Sequence, residues 1–300
     1  MISGILYLLL LSFLWIAIGA AVTEAKKNQC SLYFFNLAGA AMTTLCLTVW
    51  LGVTGGFSAF RPGQTTALLS LLAGSMLNAY GNIRLMSNLH SGGRTVAYTI
   101  PLLGFLVPFV WTVVFGYAHA GWMAWLGLAV IVSAISLLGV SRGTAAECPQ
   151  KENTRRICFA VFAMLLFGGS QIFTILPSLK IWDTPSPVIS SFVFLAGETA
   201  FYAVFTIREI RRSTVDYAKC FRYALLWTVF TVPVYPVLFL TLACWRTLQR
   251  VEIVYPIACS LTIIGYSTFT TIRMDEKMSA GKVASLALMI LGIFLVKLNL

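Results

Sequence analysis

Long apolar runs alternate along this chain with short polar connections. A membrane-spanning helix needs about 20 mostly apolar residues. Ten runs meet that length, near residues 3–22, 31–53, 65–87, 95–116, 121–141, 157–179, 187–207, 222–244, 251–271 and 282–299. The connections leave no room for a soluble domain. The longest polar stretch, Arg142 to Arg156, falls mid-chain. The first run lacks a basic leader and exceeds the ~7–15 apolar residues of a signal peptide. It is therefore expected to be a retained helix.

Composition agrees with the pattern. Hydrophobic residues make up 59% of the 300 and charged residues 10%; mean hydropathy is +0.86. A soluble domain carries about 25% charged residues. A disordered chain, a disulfide scaffold and an ordinary cytosolic enzyme are thereby excluded. The net charge of +11 would point to nucleic acid in a soluble protein. Here the basic residues sit between apolar runs, so a bilayer is the expected partner and nucleic acid is not. Their placement also sets orientation. The odd-numbered connections hold 16 of the 21 Lys and Arg, from Lys26 and Lys27 to Lys282. The other side holds Arg61, Lys180, Arg246, Arg250 and Lys297. The odd connections are thus expected in the cytoplasm, with both termini outward. Seven Cys, at 30, 46, 148, 158, 220, 244 and 259, form no CxxC pair, and His90 and His119 stand alone. No metal site, cofactor or disulfide framework is expected.

Two segments match across the chain. Ala120-Gly121 opens the fifth run as Ala280-Gly281 opens the tenth, and both continue with Ala and Leu at like spacing. Upstream, Tyr98 to Pro101 lies where Ile253 to Pro256 lies in the second half. The expected fold is an all-α integral membrane protein of ten transmembrane helices, built as two inverted five-helix repeats. The first repeat would cover 1–143, a cytoplasmic linker 144–155, and the second repeat 156–300. Because five is odd, tandem copies insert in opposite orientation, which is a signature of secondary transporters.

With these features the sequence resembles the drug/metabolite transporter superfamily over nearly its whole length. The resemblance is carried by Arg250 to Pro256, with Glu252, then by Asp275-Glu276 and Gly281 before an apolar last helix. The first half departs from it, since Tyr117 and His119 stand where a Glu belongs. Within the superfamily the chain looks most like the rhamnose and glucose uptake permeases. Lys26-Lys27 after the first helix, Gly81-Asn82-Ile83, and Gly104 to Pro108 leading into Trp111 carry that likeness. The resemblance implies sugar uptake.

Glu198 is the only charge inside the seventh run. A carboxylate at bilayer depth costs about 2.5–3.5 kcal/mol on insertion scales and must be protonated, paired or turned to a polar cavity. Proton coupling and a structural hydrogen bond are the two readings. Tyr202 lies one turn on, on the same helix face. Asn78 and Asn82 share a face of the third run; they are either solute contacts or polar glue between helices. Arg84 near them is an orientation charge or a partner for Glu198. Gln171 follows Gly168, Gly169 and Ser170, where the helix packs closely or breaks. Asn36 is a weaker candidate. Trp15, Tyr80, Tyr235 and Tyr266 lie deep enough to stack on a solute or to pack the core. Pro101, Pro108, Pro177, Pro233, Pro236 and Pro256 favour kinks.

The leading expectation is a permease of the bacterial inner membrane. It would move a small polar metabolite, a sugar by preference, by proton-coupled alternating access. Glu198 would couple, and Asn78, Asn82, Gln171 and Tyr202 would bind the solute. The alternative on the same fold is an exporter of amino acids or amphipathic metabolites. An enzyme would need clustered acid, base or nucleophile, which the sequence lacks, and no P-loop is present. A monomer and a homodimer are both open.

Overall fold

A computed structural model describes residues 2–88, 101, 103–117, 120–140, 150–179, 183–210, 216–273 and 279–298. These residues form ten α-helices and no strand. They are α1 (Ile2–Lys27), α2 (Leu32–Val53), α3 (Thr65–Asn88), α4 (Leu106–Val114), α5 (Trp122–Val140), α6 (Gln150–Ile175), α7 (Pro187–Ile210), α8 (Tyr217–Thr247), α9 (Val254–Arg273) and α10 (Ala280–Leu298).

Apolar content drives the helices and local chemistry trims their ends. Ser31 caps α2 by accepting from the Phe34 amide, and Asp216 caps α8 by accepting from the Lys219 amide at 3.0 Å. Such caps satisfy amides that have no partner within the helix. The α6 helix starts at Gln150, inside the stretch expected to be a linker. Its first turns hold Lys151, Glu152 and Arg155, which are good helix formers, so the helix continues past the apolar run. The fourth run is shorter than the pattern predicts: a 3-10 turn at Leu103–Phe105 precedes the nine-residue α4. Pro108 falls in its first turn, where a missing amide costs little. The earlier part of that run, with Tyr98, lies outside the described residues. So do His90, Arg94, His119, Arg142, Cys148 and the Asp275-Glu276 pair.

Among the described residues six segments are long and apolar enough to cross a membrane: α1, α2, Cys158–Leu179, Pro187–Ile207, α8 and Val251–Arg273. Leu103–Val114, Trp122–Leu137 and Ala280–Val296 are shorter apolar helices. The α3 helix is long, but Asn78, Asn82 and Arg84 dilute its apolar run. Large side chains such as Phe13, Leu45, Val204, Val229 and Phe294 stand more than half exposed on the outside. That surface would be costly in water and suits a multi-pass membrane protein.

The helices pack in a regular scheme. The α1 helix lies against α8 and α9, and α6 lies against α3 and α4. The α2 helix packs on α7 and α8, while α7 packs on α2 and α3; α5 pairs with α10. Adding five to each helix number in the first half maps these pairings onto each other. Close approaches fall on matched places. Thr44 and Thr199 join α2 to α7 at 3.0 Å. The Gly127 and Gly292 backbones meet between α5 and α10, where a Cβ on either would lie under 3.0 Å from the other's carbonyl oxygen. The largest apolar core fills one half of the bundle, around Leu11, Leu71, Phe105, Phe109, Leu242 and Val254. This is the half that holds the turn after α8, hereafter the Arg246 end. Lys26, Lys27 and the turn from α1 to α2 mark the opposite, Lys27 end.

Candidate functional site

Three helices meet at a buried carboxylate. Glu198 of α7 is 1% exposed. Its Oε1 accepts from Asn78 Nδ2 of α3 at 2.5 Å and from the Tyr235 hydroxyl of α8 at 3.2 Å. Asn78 Nδ2 also donates to the Tyr235 oxygen at 3.3 Å. The amide has two donors, so both bonds are compatible. Gly197 makes this meeting possible. A Cβ there would fall 2.0 Å from Ser75 Oγ, so only glycine lets α7 come this close to α3. The Tyr235 ring is held at 4.9 Å from that of Phe194.

A cavity of about 160 Å³ adjoins this cluster. At about 30 Å³ per water, it has room for about five waters or one monosaccharide-sized solute. Its walls come from α1, α2, α3, α6, α7, α8 and α9. The polar groups are Asn36, Asn78, Asn82, Ser170, Gln171, Thr174, Thr231, Tyr235 and Tyr255, and Trp15 and Trp227 supply aromatic walls. Among the described residues no charged side chain lines it. Gln171 Oε1 is buried with no hydrogen-bond partner. A buried acceptor left unpaired is costly, and it faces a cavity where a solute hydroxyl or a water can satisfy it.

The structure therefore brings Asn78, Asn82 and Gln171 to one cavity. Glu198 and Tyr202 stand behind its wall. Glu198 lies behind Asn78 and Tyr235. Tyr202, 1% exposed, packs with Ala40 and Ala79 and adjoins the Asn82 side chain. The two i, i+4 pairs thus face each other in register, Asn78 to Glu198 and Asn82 to Tyr202. Arg84 turns instead to the Tyr80 hydroxyl, with its guanidinium over the Tyr80 and Phe159 rings. Of the deep aromatics, Trp15 and Tyr235 reach the cavity, whereas Tyr266 bonds Thr23 at 2.6 Å. Sequence reasoning missed Thr174, Thr231, Trp227 and Tyr255. Tyr255 carried one signal, its place beside Pro256 in the matched segment. The threonines carried none.

No protein-family model matches the chain, and no curated protein matches it. A solved structure described only as a crystal structure of a protein is similar in fold. It gives a TM-score of 0.69 at 13% identity, over 99% of this chain and 96% of that chain. At that identity the likeness concerns the fold of the whole chain and carries no activity.

Proposed function

We propose that this protein is a secondary transporter of a small, neutral, polar solute, with a monosaccharide as the preferred class. The observation that carries the reading is the central cavity, whose described walls join amide and hydroxyl groups to aromatic and aliphatic ones without a charge. Amides and hydroxyls both donate and accept, as a polyhydroxylated solute does. An amino acid would need a cation and an anion opposite its own charges. The unpaired Gln171 acceptor adds a waiting partner.

The pairing of helices under a shift of five supports two repeats of inverted orientation, meeting at the cavity. The same sequence features that resemble the drug/metabolite transporters fit this architecture. Rocking of the halves would expose the cavity to each side in turn. Glu198 is placed for coupling. Its partners, the Asn78 amide and the Tyr235 hydroxyl, are uncharged, and both line the cavity. A proton taken by Oε1 of Glu198 would put a donor where the Asn78 amide and the Tyr235 hydroxyl now donate, and both partners would rearrange where the solute binds.

Purified protein in liposomes with a trapped pH dye tests the reading. A panel of sugars and amino acids is added singly to wild type and to Glu198→Gln. A pH change driven by one sugar in wild type and absent in the variant is expected. A response to amino acids alone would favour the exporter alternative. Proton movement that survives Glu198→Gln would remove the coupling role.

A further inference from the structure

A second cavity, of about 430 Å³, opens at the Arg246 end of the bundle. Tyr117, Ser178, Arg246, Gln249, Arg250 and Glu252 are among its lining residues. Glu252 is 4% exposed, and its Oε1 lies 3.8 Å from Arg250 Nη1. Arg246 Nη1 donates to Thr184 Oγ1 at 2.7 Å, which fixes the guanidinium at the rim. Tyr117 stacks on Trp111 at 5.3 Å and presents an aromatic face. Gln249 holds a left-handed backbone, φ 54°, that turns the chain sharply after α8. Non-glycine residues take that conformation rarely, and here it brings Gln249, Arg250 and Glu252 onto one wall.

The two cavities lie in line. Thr174 lines the central one and Ser178 the outer one, and likewise Tyr255 and Glu252. On each strand of the path the step is about one helical turn, or ~5–6 Å. At the near wall of the central cavity the Thr174 and Tyr255 hydroxyls share a hydrogen bond at 2.5 Å, backed by Trp15, whose ring lies 6.2 Å from that of Tyr255 at 14°. Buried Ile175, Ile253 and Val254 follow on the same two segments, between the residues that line one cavity and those that line the other.

We infer that the outer cavity is a second binding station for the same polyhydroxylated solute, in series with the central one beyond the Thr174–Tyr255 pair. This rests on the neutral-solute reading above. Neighbouring hydroxyls on a sugar ring match groups that offer two hydrogen-bonding sites side by side. A guanidinium offers two donors, a carboxylate two acceptors and a primary amide one of each. Arg250, Glu252 and Gln249 supply all three within four residues. The ionic pair between Arg250 and Glu252 leaves that wall close to neutral while keeping its donors and acceptors strong. The Tyr117 face suits the apolar side of a pyranose. The described walls of the central cavity hold no ionised group, so the solute meets stronger but wetter contacts first and a drier, neutral site second.

Two single-cysteine chains test this with an impermeant maleimide on detergent-solubilised protein. One carries Leu248→Cys in the outer cavity, on an otherwise cysteine-free chain. The other carries Ile18→Cys, half-buried on the wall of the central cavity, on the same cysteine-free background. Glucose, rhamnose, ribose, glycine and serine are the probes. One monosaccharide is expected to slow labelling at both positions. Protection at Leu248→Cys should persist when Asn78→Ala is added, while protection at Ile18→Cys falls. Arg250→Lys keeps the charge but loses the fork, and should raise the sugar concentration needed at Leu248→Cys by about tenfold, the effect of one lost charge-assisted bond, with Ile18→Cys unchanged. Protection at Ile18→Cys without protection at Leu248→Cys would overturn the second station and leave the neutral-solute reading standing. Loss of outer protection with Asn78→Ala would also overturn it. Protection by amino acids alone, or by no probe at either position, would overturn the neutral-solute reading and the second station together.

Discussion

At the scale of single residues, the site depends on one missing methyl group. Gly197 sits where a Cβ would strike Ser75 Oγ at 2.0 Å and Leu72 Cδ1 at 2.8 Å. Overpacking a tight helix contact costs about 1–3 kcal/mol. Gly197→Ala should therefore lower stability by that amount in a thermal unfolding assay. Adding Ser75→Ala removes the nearest clash and should recover part of the loss, a non-additivity that a double-mutant cycle reads directly. Additive effects would mean that α7 does not approach α3 through this glycine. Glu198→Leu makes a second case. It leaves the Asn78 amide and the Tyr235 hydroxyl without their acceptor, at about 1–3 kcal/mol; Glu198→Gln keeps an acceptor oxygen and should be milder. Equal destabilisation by the two would count against the described hydrogen bonds. These residues were only partly legible beforehand. Asn78, Asn82, Gln171 and Glu198 stand out because strongly polar side chains are rare in apolar runs. Thr231 did not, because its hydroxyl bonds back to the Trp227 carbonyl, as Thr43, Thr228 and Thr241 bond to their own helices. A cavity threonine and a packed one look alike in sequence. Helical spacing put Tyr202 on the Glu198 face correctly, but spacing does not say where along that face a cavity stops.

At the scale of elements, most helices follow from the hydrophobic pattern, and the departures have local causes. Good helix formers after Pro149 start α6 early, and the fourth run begins its described part with a 3-10 turn. There Gly104 of the first half meets Gly168 of α6 so closely that a Cβ on Gly168 would lie 2.7 Å from the Gly104 carbonyl oxygen. How α1 joins α8 is a matter of pairing between helices, which no run of hydropathy encodes. One consequence can be tested with native residues. Cys30, in the turn between α1 and α2, hydrogen-bonds Cys220 in the first turn of α8. Burial and the neighbouring Cys220 thiol push the Cys30 thiol up to about 12. The thiolate is the reactive form, so Cys30 should resist maleimide at neutral pH in the folded protein and react after denaturation. Sustained oxidation with copper–phenanthroline should nevertheless join Cys30 to Cys220, since the two thiols are hydrogen-bonded neighbours. The bond would clamp α2 and α8 at the Lys27 end. Solute flux should then stop and return on reduction. Full flux through the cross-linked protein would mean that this end does not move.

At the scale of the whole molecule, the cavities, the core and the charges are unevenly distributed in a consistent way. The central cavity reaches from Tyr255 toward Val22, Leu85 and Trp227, all on its Lys27 side. The larger apolar core lies toward its Arg246 side, and a smaller one, around Phe35, Cys220 and Trp227, lies toward its Lys27 side. The charge pattern predicts which side each end faces. Basic residues concentrate on connections that remain in the cytoplasm, so the Lys27 end should face inward and the Arg246 end outward, with both termini on the Arg246 side after an even number of crossings. Lys27 is exposed and Leu248 is 39% exposed, so a cysteine at either can report. In right-side-out membrane vesicles, an impermeant maleimide should label Leu248→Cys and spare Lys27→Cys, and inverted vesicles should reverse the result. The reverse pattern would turn the molecule over, and the outer cavity would then open to the cytoplasm. Labelling of both from one side would mean that the helices between them do not cross in alternation, and the five-plus-five arrangement would fall with them.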